Sequence, residues 1–252
     1  MDANRPIVLS VAGFDPSGGA GLLADIKTFE QLKVYGLGIS TAQTVQTENK
    51  FFAIRWVDEN DILQSLETML SHYPVSAIKI GIVESINTLN RIVSFIHKKN
   101  AAIKIVADTV IKSSSGFYFW NEKMNKTVLA GILPKIFLIT PNYNEAMKLM
   151  SSPDAKEAAQ KLSAYCRVLL KGGHSSEEPG VDYLYIKNEV MKLEATTTDV
   201  SPKHGSGCVL SAAITANLSL GLDLLTSCTN AKKYIEQFLS SNKTLLGYHH
   251  VQ

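Results

Sequence analysis

Five short, nearly uninterrupted apolar runs punctuate this chain, and between them the apolar residues recur every three or four positions. The runs cover residues 7–12, 77–80, 104–107, 136–139 and 167–170, the continuity expected of strands covered on both faces. Ile62, Leu63, Leu66, Met69 and Leu70 fall on one helical face, and Ile86, Leu89, Ile92, Val93 and Ile96 on another. Strands alternating with helices predict an α/β fold, a three-layer α-β-α sandwich around a mostly parallel central sheet. Two places break the rhythm. Residues 51–57 (FFAIRWV) read as a strand following a strand-like segment with no helix between, which predicts a small β flap or edge. Residues 182–186 and 190–193 read as a hairpin turning at Lys187, Asn188 and Glu189. No repeat, low-complexity tract or linker divides the chain, so residues 1–252 are expected to form a single domain.

Charge and cysteine content narrow the function classes. With 25 Lys+Arg against 23 Asp+Glu, the net charge of +2 provides no global field for a nucleic acid or an anionic membrane, and neither is expected as a partner. Three cysteines, Cys166, Cys208 and Cys228, are odd in number and widely spaced. They fit a reducing, cytoplasmic location rather than a disulfide framework or a zinc site. The N-terminus runs into the first strand without the apolar core of a signal peptide. The uncharged stretch 205–222 approaches the ~18 residues of a membrane span, but Ser211, Thr215, Asn217 and Ser219 recur through it, so a helix buried within a globular core is predicted. Strand character near 51–57 leaves room for a homodimer.

The most informative chemistry is His204-Gly205-Ser206-Gly207-Cys208, immediately ahead of that helix. Two glycines and a serine let successive N–H groups converge at a helix N-terminus, where the dipole favours an anion. Cys208 falls in the first turn, and a thiol of pKa about 8.5 is expected to drop toward neutrality there. A helix start that merely happens to be glycine-rich remains the alternative.

Further candidates end other strands. Residues 13–21 (GFDPSGGAG) follow the first strand, where open α/β sheets bind ligands, although the spacing fits neither a dinucleotide fingerprint nor a Walker A loop. Asp25, one turn into the next helix, either reaches this cleft or is a solvated helix carboxylate. Asn142 and Glu145 read as a capping box, or with Asp108 as oxygen ligands of a largely hydrated Mg²⁺. Lys171 is an ordinary turn lysine or a cation that neutralises phosphate charge. His174 and His204 have no partner visible in the sequence, and neither is assigned a catalytic role.

In chain order these segments resemble the hydroxymethylpyrimidine and phosphomethylpyrimidine kinases of thiamine biosynthesis, a branch of the ribokinase-like superfamily. The resemblance rests on AGFDPSGGAG at 12–21 followed by ADIKTF at 24–29, then Lys79-Ile80-Gly81, Asp108-Thr109-Val110, Thr140-Pro141-Asn142 with Glu145, Leu170-Lys171-Gly172-Gly173-His174, and the segment ending in Cys208. It implies an ATP- and Mg²⁺-dependent phosphotransferase acting on a small pyrimidine alcohol. It further implies that Gln46 holds the aminopyrimidine ring, with Asp25, Gly13 and Val110 lining the pocket, and that Asp108, Glu145 and Asn142 organise Mg²⁺ and phosphate. Lys171 would steady the transferring phosphates, the Gly205, Ser206 and Gly207 amides would form the anion hole, and Cys208 would act as base. Three places depart from the pattern: Ser206 replaces the usual threonine, Ile82 stands where methionine is usual against the ring, and residues 111–116 differ outside Ser115 and Gly116. A pyridoxal or pyridoxine kinase on the same scaffold, and a non-catalytic pyrimidine-binding protein, are the rival readings.

Overall fold

A computed structural model of the chain describes residues 5–110, 126–173 and 178–249. Nine strands form one sheet: β1 (Ile7–Phe14), β2 (Tyr35–Gln46), β3 (Phe51–Trp56), β4 (Val75–Ile80), β5 (Lys104–Ala107), β6 (Leu138–Ile139), β7 (Arg167–Leu170), β8 (Asp182–Ile186) and β9 (Glu189–Leu193). Their spatial order is β3-β2-β1-β4-β5-β6-β7-β8-β9. The six strands from β2 to β7 in that order run parallel, while β3, β8 and β9 are antiparallel additions at the two edges. From β1 the chain steps outward to β2 on one side, then returns to lay β4 on the other. This reversal opens a crevice at the C-terminal ends of β1 and β4, the usual ligand position in open α/β sheets.

Strand periodicity sorts the core into two faces. Leu9 and Val11 of β1, Ile78 and Ile80 of β4, and Ile105 and Ala107 of β5 pack on one side with α2 (Glu59–His72), α3 (Ile86–Lys99), α5 (Tyr143–Met150) and α6 (Ala155–Leu162), the last two following a short α4 (Lys126–Ile132). Val8, Ala77 and Val106 face the other side, against α1 (Gly21–Gln31), α7 (Ser206–Ser219) and α8 (Leu224–Ser240). Helix α7 is buried from Val209 to Leu218, as a helix apolar on all sides must be. Among the described residues no helix is long and apolar enough to cross a membrane.

The layers follow the sequence expectation, with local adjustments. The run 136–139 yields a strand only at Leu138 and Ile139, because a 3₁₀ turn at Leu133–Lys135 spends the Ile136 N–H on Leu133. The hairpin turn needs only Lys187, in the left-handed region at φ 55°, and Asn188, so Glu189 joins β9. Residues 51–56 form the antiparallel edge, paired with positions 42–46 in the distal half of β2, where they overhang the C-terminal end of β1.

Close packing between α7 and the sheet generates a stability prediction. Ala212 is fully buried against Val8, Phe29, Val34 and Ala77. Ala212→Leu should destabilise the fold by about 1–3 kcal/mol through overpacking, read as a lower urea midpoint with unchanged slope.

Candidate functional site

Five helices have a side chain capping their first turn: Asp58, Ser85, Asn142, Asp154 and Asp223 serve α2, α3, α5, α6 and α8. Helices α1 and α7 begin at Ala20 and Gly205, neither of which caps its helix with its own side chain; the Asp15 carboxylate accepts the Ala20 N–H at the start of α1, while no side-chain cap bond closes the start of α7. These two N-termini meet. Gly205 takes φ 74°, and a Cβ there would stand 2.1 Å from the Gly19 carbonyl oxygen, so glycine is required both by conformation and by the approach of the first loop. Residues 205–208 are only partly buried between buried neighbours, with the Cys208 thiol on the desolvated side. The predicted anion segment is therefore an open helix start rather than a buried turn.

Over that turn sits a charged pair. A Cβ at Gly207 would lie 3.2 Å from Lys171 Nζ and 3.5 Å from Asp108 Oδ2. Lys171 Nζ donates to Asp108 Oδ1 at 2.8 Å, and Thr140 Oγ1 donates to the same oxygen at 3.1 Å. Burial opposes charge on both groups, yet Lys171 and Lys79 hold Asp108 below the ordinary carboxylate range, and Asp108 with Glu145 holds Lys171 above its ordinary value. Asn142 and Glu145 form the predicted capping box, each side chain accepting from the other's backbone N–H at 2.8–2.9 Å, and Asn142 bridges Lys171 through the backbone. The capping reading thus holds, and the same box brings Glu145 into the electrostatic field of Lys171.

Nothing in the linear sequence assigns Lys79 a role. In register, Ser10 of β1 lies beside Lys79 of β4, and both face α1. Lys79 Nζ donates to both carboxylate oxygens of Asp25, at 3.0 and 2.8 Å, while Ser10 Oγ donates to Asp25 Oδ2 at 2.5 Å. All three side chains are fully buried. Asp25 is therefore no solvated helix carboxylate: both its oxygens are engaged beneath the cleft. Burial alone would lower the Lys79 pKa, but Asp25, Cys208 and Asp108 keep it protonated. A charged residue inside an otherwise apolar strand run was the available signal.

The same burial corrects the expectation for Cys208. Its thiol is pushed up to about 11, chiefly by desolvation, with Lys79 and a Gly21 backbone hydrogen bond pulling against Asp25 and Asp108. The helix terminus does not overcome the loss of water.

Among the ring-lining candidates, Gly13 and Ile82 are adjacent: a Cβ on Gly13 would stand 2.4 Å from Ile82 Cδ1, so this isoleucine occupies the space that glycine leaves. Gln46 donates to Thr44 Oγ1, which donates to the Phe14 carbonyl, placing it at the mouth of the β1–β2 edge. Val110 is half-buried, two residues past Asp108 and bonded to its carbonyl. His204, set aside in the sequence, has a partner: its Nε2 lies 2.9 Å from Asp15 Oδ2. His174, Ser115 and Gly116 lie outside the described residues.

The donor set suits a cation held mainly by water and phosphate. Among the described residues no three His, Cys, Asp or Glu side chains converge into a closed metal cage. Asp108, Glu145 and Asn142 instead offer hard oxygens already partly engaged, and buried Thr109 Oγ1 beside them has no hydrogen-bond partner among the described residues. Such a set fits Mg²⁺, which keeps several waters.

A family profile described as phosphomethylpyrimidine kinase matches residues 15–252. The hydroxymethylpyrimidine/phosphomethylpyrimidine kinase of Aquifex aeolicus is 32% identical over 246 residues, 95% of this chain and 96% of its own length. The crystal structure of phosphomethylpyrimidine kinase from Clostridium difficile 630 superposes with a TM-score of 0.77 at 32% identity, covering 92% of this chain and 98% of that one. Pyridoxal kinase from Staphylococcus aureus, solved with AMP-PCP and pyridoxal, superposes with a TM-score of 0.80 at 27% identity, covering 95% of this chain and 89% of that one.

The buried ion pair generates the prediction of this section. Lys79→Met leaves Asp25 without its cation and should destabilise the protein by about 3–5 kcal/mol, whereas Lys79→Met combined with Asp25→Leu should recover most of that loss. Urea unfolding of the three proteins checks the pattern.

Proposed function

This chain belongs to the phosphomethylpyrimidine kinase family, its fold is the ribokinase-like sandwich, and from that premise we propose how its own residues carry phosphoryl transfer. The protein is a phosphotransferase of thiamine biosynthesis: it uses ATP to phosphorylate the primary hydroxyl of 4-amino-5-hydroxymethyl-2-methylpyrimidine, and takes the monophosphate on to the diphosphate. One observation carries the reading. The uncapped first turn of α7 lies under Lys171 and Asp108 and ends in Cys208, beside the crevice between β1 and β4.

The hydroxyl oxygen bonds to the γ-phosphorus as the bond from that phosphorus to the β–γ bridging oxygen breaks, and ADP leaves. Because the transition state is loose, positioning and charge stabilisation supply most of the acceleration. Amides of Gly205, Ser206, Gly207 and Cys208 meet the equatorial oxygens, a role in which one lost donor typically costs about 2.7–4 kcal/mol. Lys171 offsets charge on the transferring group. Asp108, Glu145 and Asn142 would hold Mg²⁺, which would supply neutralisation of phosphate charge. Gln46 fixes the aminopyrimidine ring over Gly13, Ile82 and Val110, with Asp25 beneath. The hydroxyl proton passes to the Cys208 thiolate. Only the thiolate fraction accepts this proton, so the base contribution grows as pH rises toward the thiol pKa of about 11.

A second reading, pyridoxal kinase activity, is favoured by the likeness to the pyridoxal kinase fold and by Ile82, which alters the surface facing the ring. Competing the pyrimidine and pyridoxal in one ATP-consumption assay separates them, and a dominant pyridoxal rate would overturn the main assignment. A time course resolving hydroxymethylpyrimidine, its monophosphate and its diphosphate tests both transfer steps; absence of any phosphorylated pyrimidine refutes the proposal.

Cys208→Ala should lower kcat by roughly 10²–10⁴-fold with little change in pyrimidine KM. The raised thiol pKa sets the sign of the pH effect. Thiolate, the active form, accumulates as pH rises toward about 11, so the wild-type kcat should climb between about pH 7 and 10 and the variant's should not. A variant with near-normal kcat removes the sulfur from the mechanism.

A further inference from the structure

Asp15 and His204 stand 189 positions apart, and neither has a place in the mechanism above, yet they form a buried pair where the N-termini of α1 and α7 meet. Asp15 is 1% exposed and His204 5%. One carboxylate gathers four donors. Asp15 Oδ1 accepts from the Ser17 N–H at 2.9 Å; Oδ2 accepts from Ser17 Oγ at 2.8 Å and the Ala20 N–H at 2.9 Å, and lies 2.9 Å from His204 Nε2. Ala20 is the residue from which α1 starts, and His204 directly precedes Gly205, from which α7 starts.

We propose that the Asp15–His204 pair is the positioning element of the transfer site, setting the amide turn at 205–208 against the first loop at the separation that phosphate and acceptor require. The proposal rests on the kinase reading and adds to it two residues that touch no reacting atom.

Anchoring of the polypeptide is already provided by other bonds. The His204 N–H donates to the Leu245 carbonyl at 2.9 Å, and Lys203 Nζ donates to the carbonyls of Asn242 and Thr244 at 2.6 and 2.8 Å. What the imidazole adds is lateral registration. A Cβ on Gly19 would come within 2.8 Å of its Cδ2, so the ring lies against the first loop, next to the Gly19 carbonyl that Gly205 approaches. Burial would raise the Asp15 pKa, but His204 and Ser17 hold it below its ordinary value, which keeps the carboxylate in its accepting form. Misplacement of a reacting group by about 1 Å can slow a reaction about 10²-fold without removing any catalytic group.

The test compares His204→Leu, His204→Gln and Asp15→Asn with wild type, measuring kcat and both KM values well below each protein's melting temperature. His204→Leu should lose about 10²-fold in kcat with pyrimidine KM nearly unchanged. His204→Gln, which retains an N–H donor, should recover most of the loss, and Asp15→Asn should resemble the leucine variant. A folded His204→Leu protein with wild-type kcat overturns the proposal, as do equal losses in the leucine and glutamine variants. If the leucine variant does not fold, a normal kcat in Asp15→Asn has the same force; failure of all three to fold assigns the pair a purely architectural role and also overturns it. Absence of pyrimidine phosphorylation by wild type refutes the kinase reading instead, and the comparison then runs on whichever alcohol the wild type phosphorylates.

Discussion

Concentrating charge inside an apolar sheet is the constraint around which this molecule is organised. Asp25, Lys79 and Asp108 are almost wholly buried, and Lys171 is mostly so. An isolated ion there would cost several kcal/mol even after relaxation. The charges therefore alternate, Asp25 against Lys79 and Asp108 against Lys171, with Ser10 and Thr140 satisfying further lone pairs. Cys208, set among these groups, shows what burial does to a group without an ion-pair partner: its proton is retained well above neutrality.

That arrangement follows from strand geometry. Side chains alternate across a strand, so Ser10 and Lys79, paired in register on β1 and β4, face the same helices while Leu9, Val11, Ile78 and Ile80 face the opposite core. A one-residue slip of β4 would send the ammonium into the apolar core packed by α2 and α3, away from Asp25. Register thus serves stability and chemistry together. At the C-terminal edge the parallel strands deliver Gly13, Gly81, Asp108 and Thr140 to one rim, and α7 supplies amides from the far end of the chain.

Backbone proximity at this rim is as demanding as the charges. Gly205 approaches the first loop too closely for any side chain, and the Asp15–His204 pair bridges the same junction. The N-termini of α1 and α7 meet there, the first closed by the Asp15 carboxylate and the second without a side-chain cap.

Much was legible in the linear pattern. The five apolar runs, the helical stripes at 62–70 and 86–96, the late hairpin, the Asn142–Glu145 capping box and the buried helix after Gly205 each depend on neighbours within a few positions, and local physics is written locally. The glycine-rich segment ending in Cys208 likewise marked the start of that helix, where Gly205 takes its left-handed conformation. Partners separated by several intervening strands and helices were not legible: Lys79 with Asp25 across 54 positions, Lys171 with Asp108 across 63, and His204 with Asp15 across 189. Nor was the direction of the Cys208 shift, because the helix start that should acidify the thiol is visible in the sequence while the desolvation that outweighs it exists only in the folded protein. Sequence determined which residues bear charge and where the backbone bends; tertiary structure decided which charges meet and how much water each retains, since pairing and dielectric are properties of the packed sheet and not of the chain.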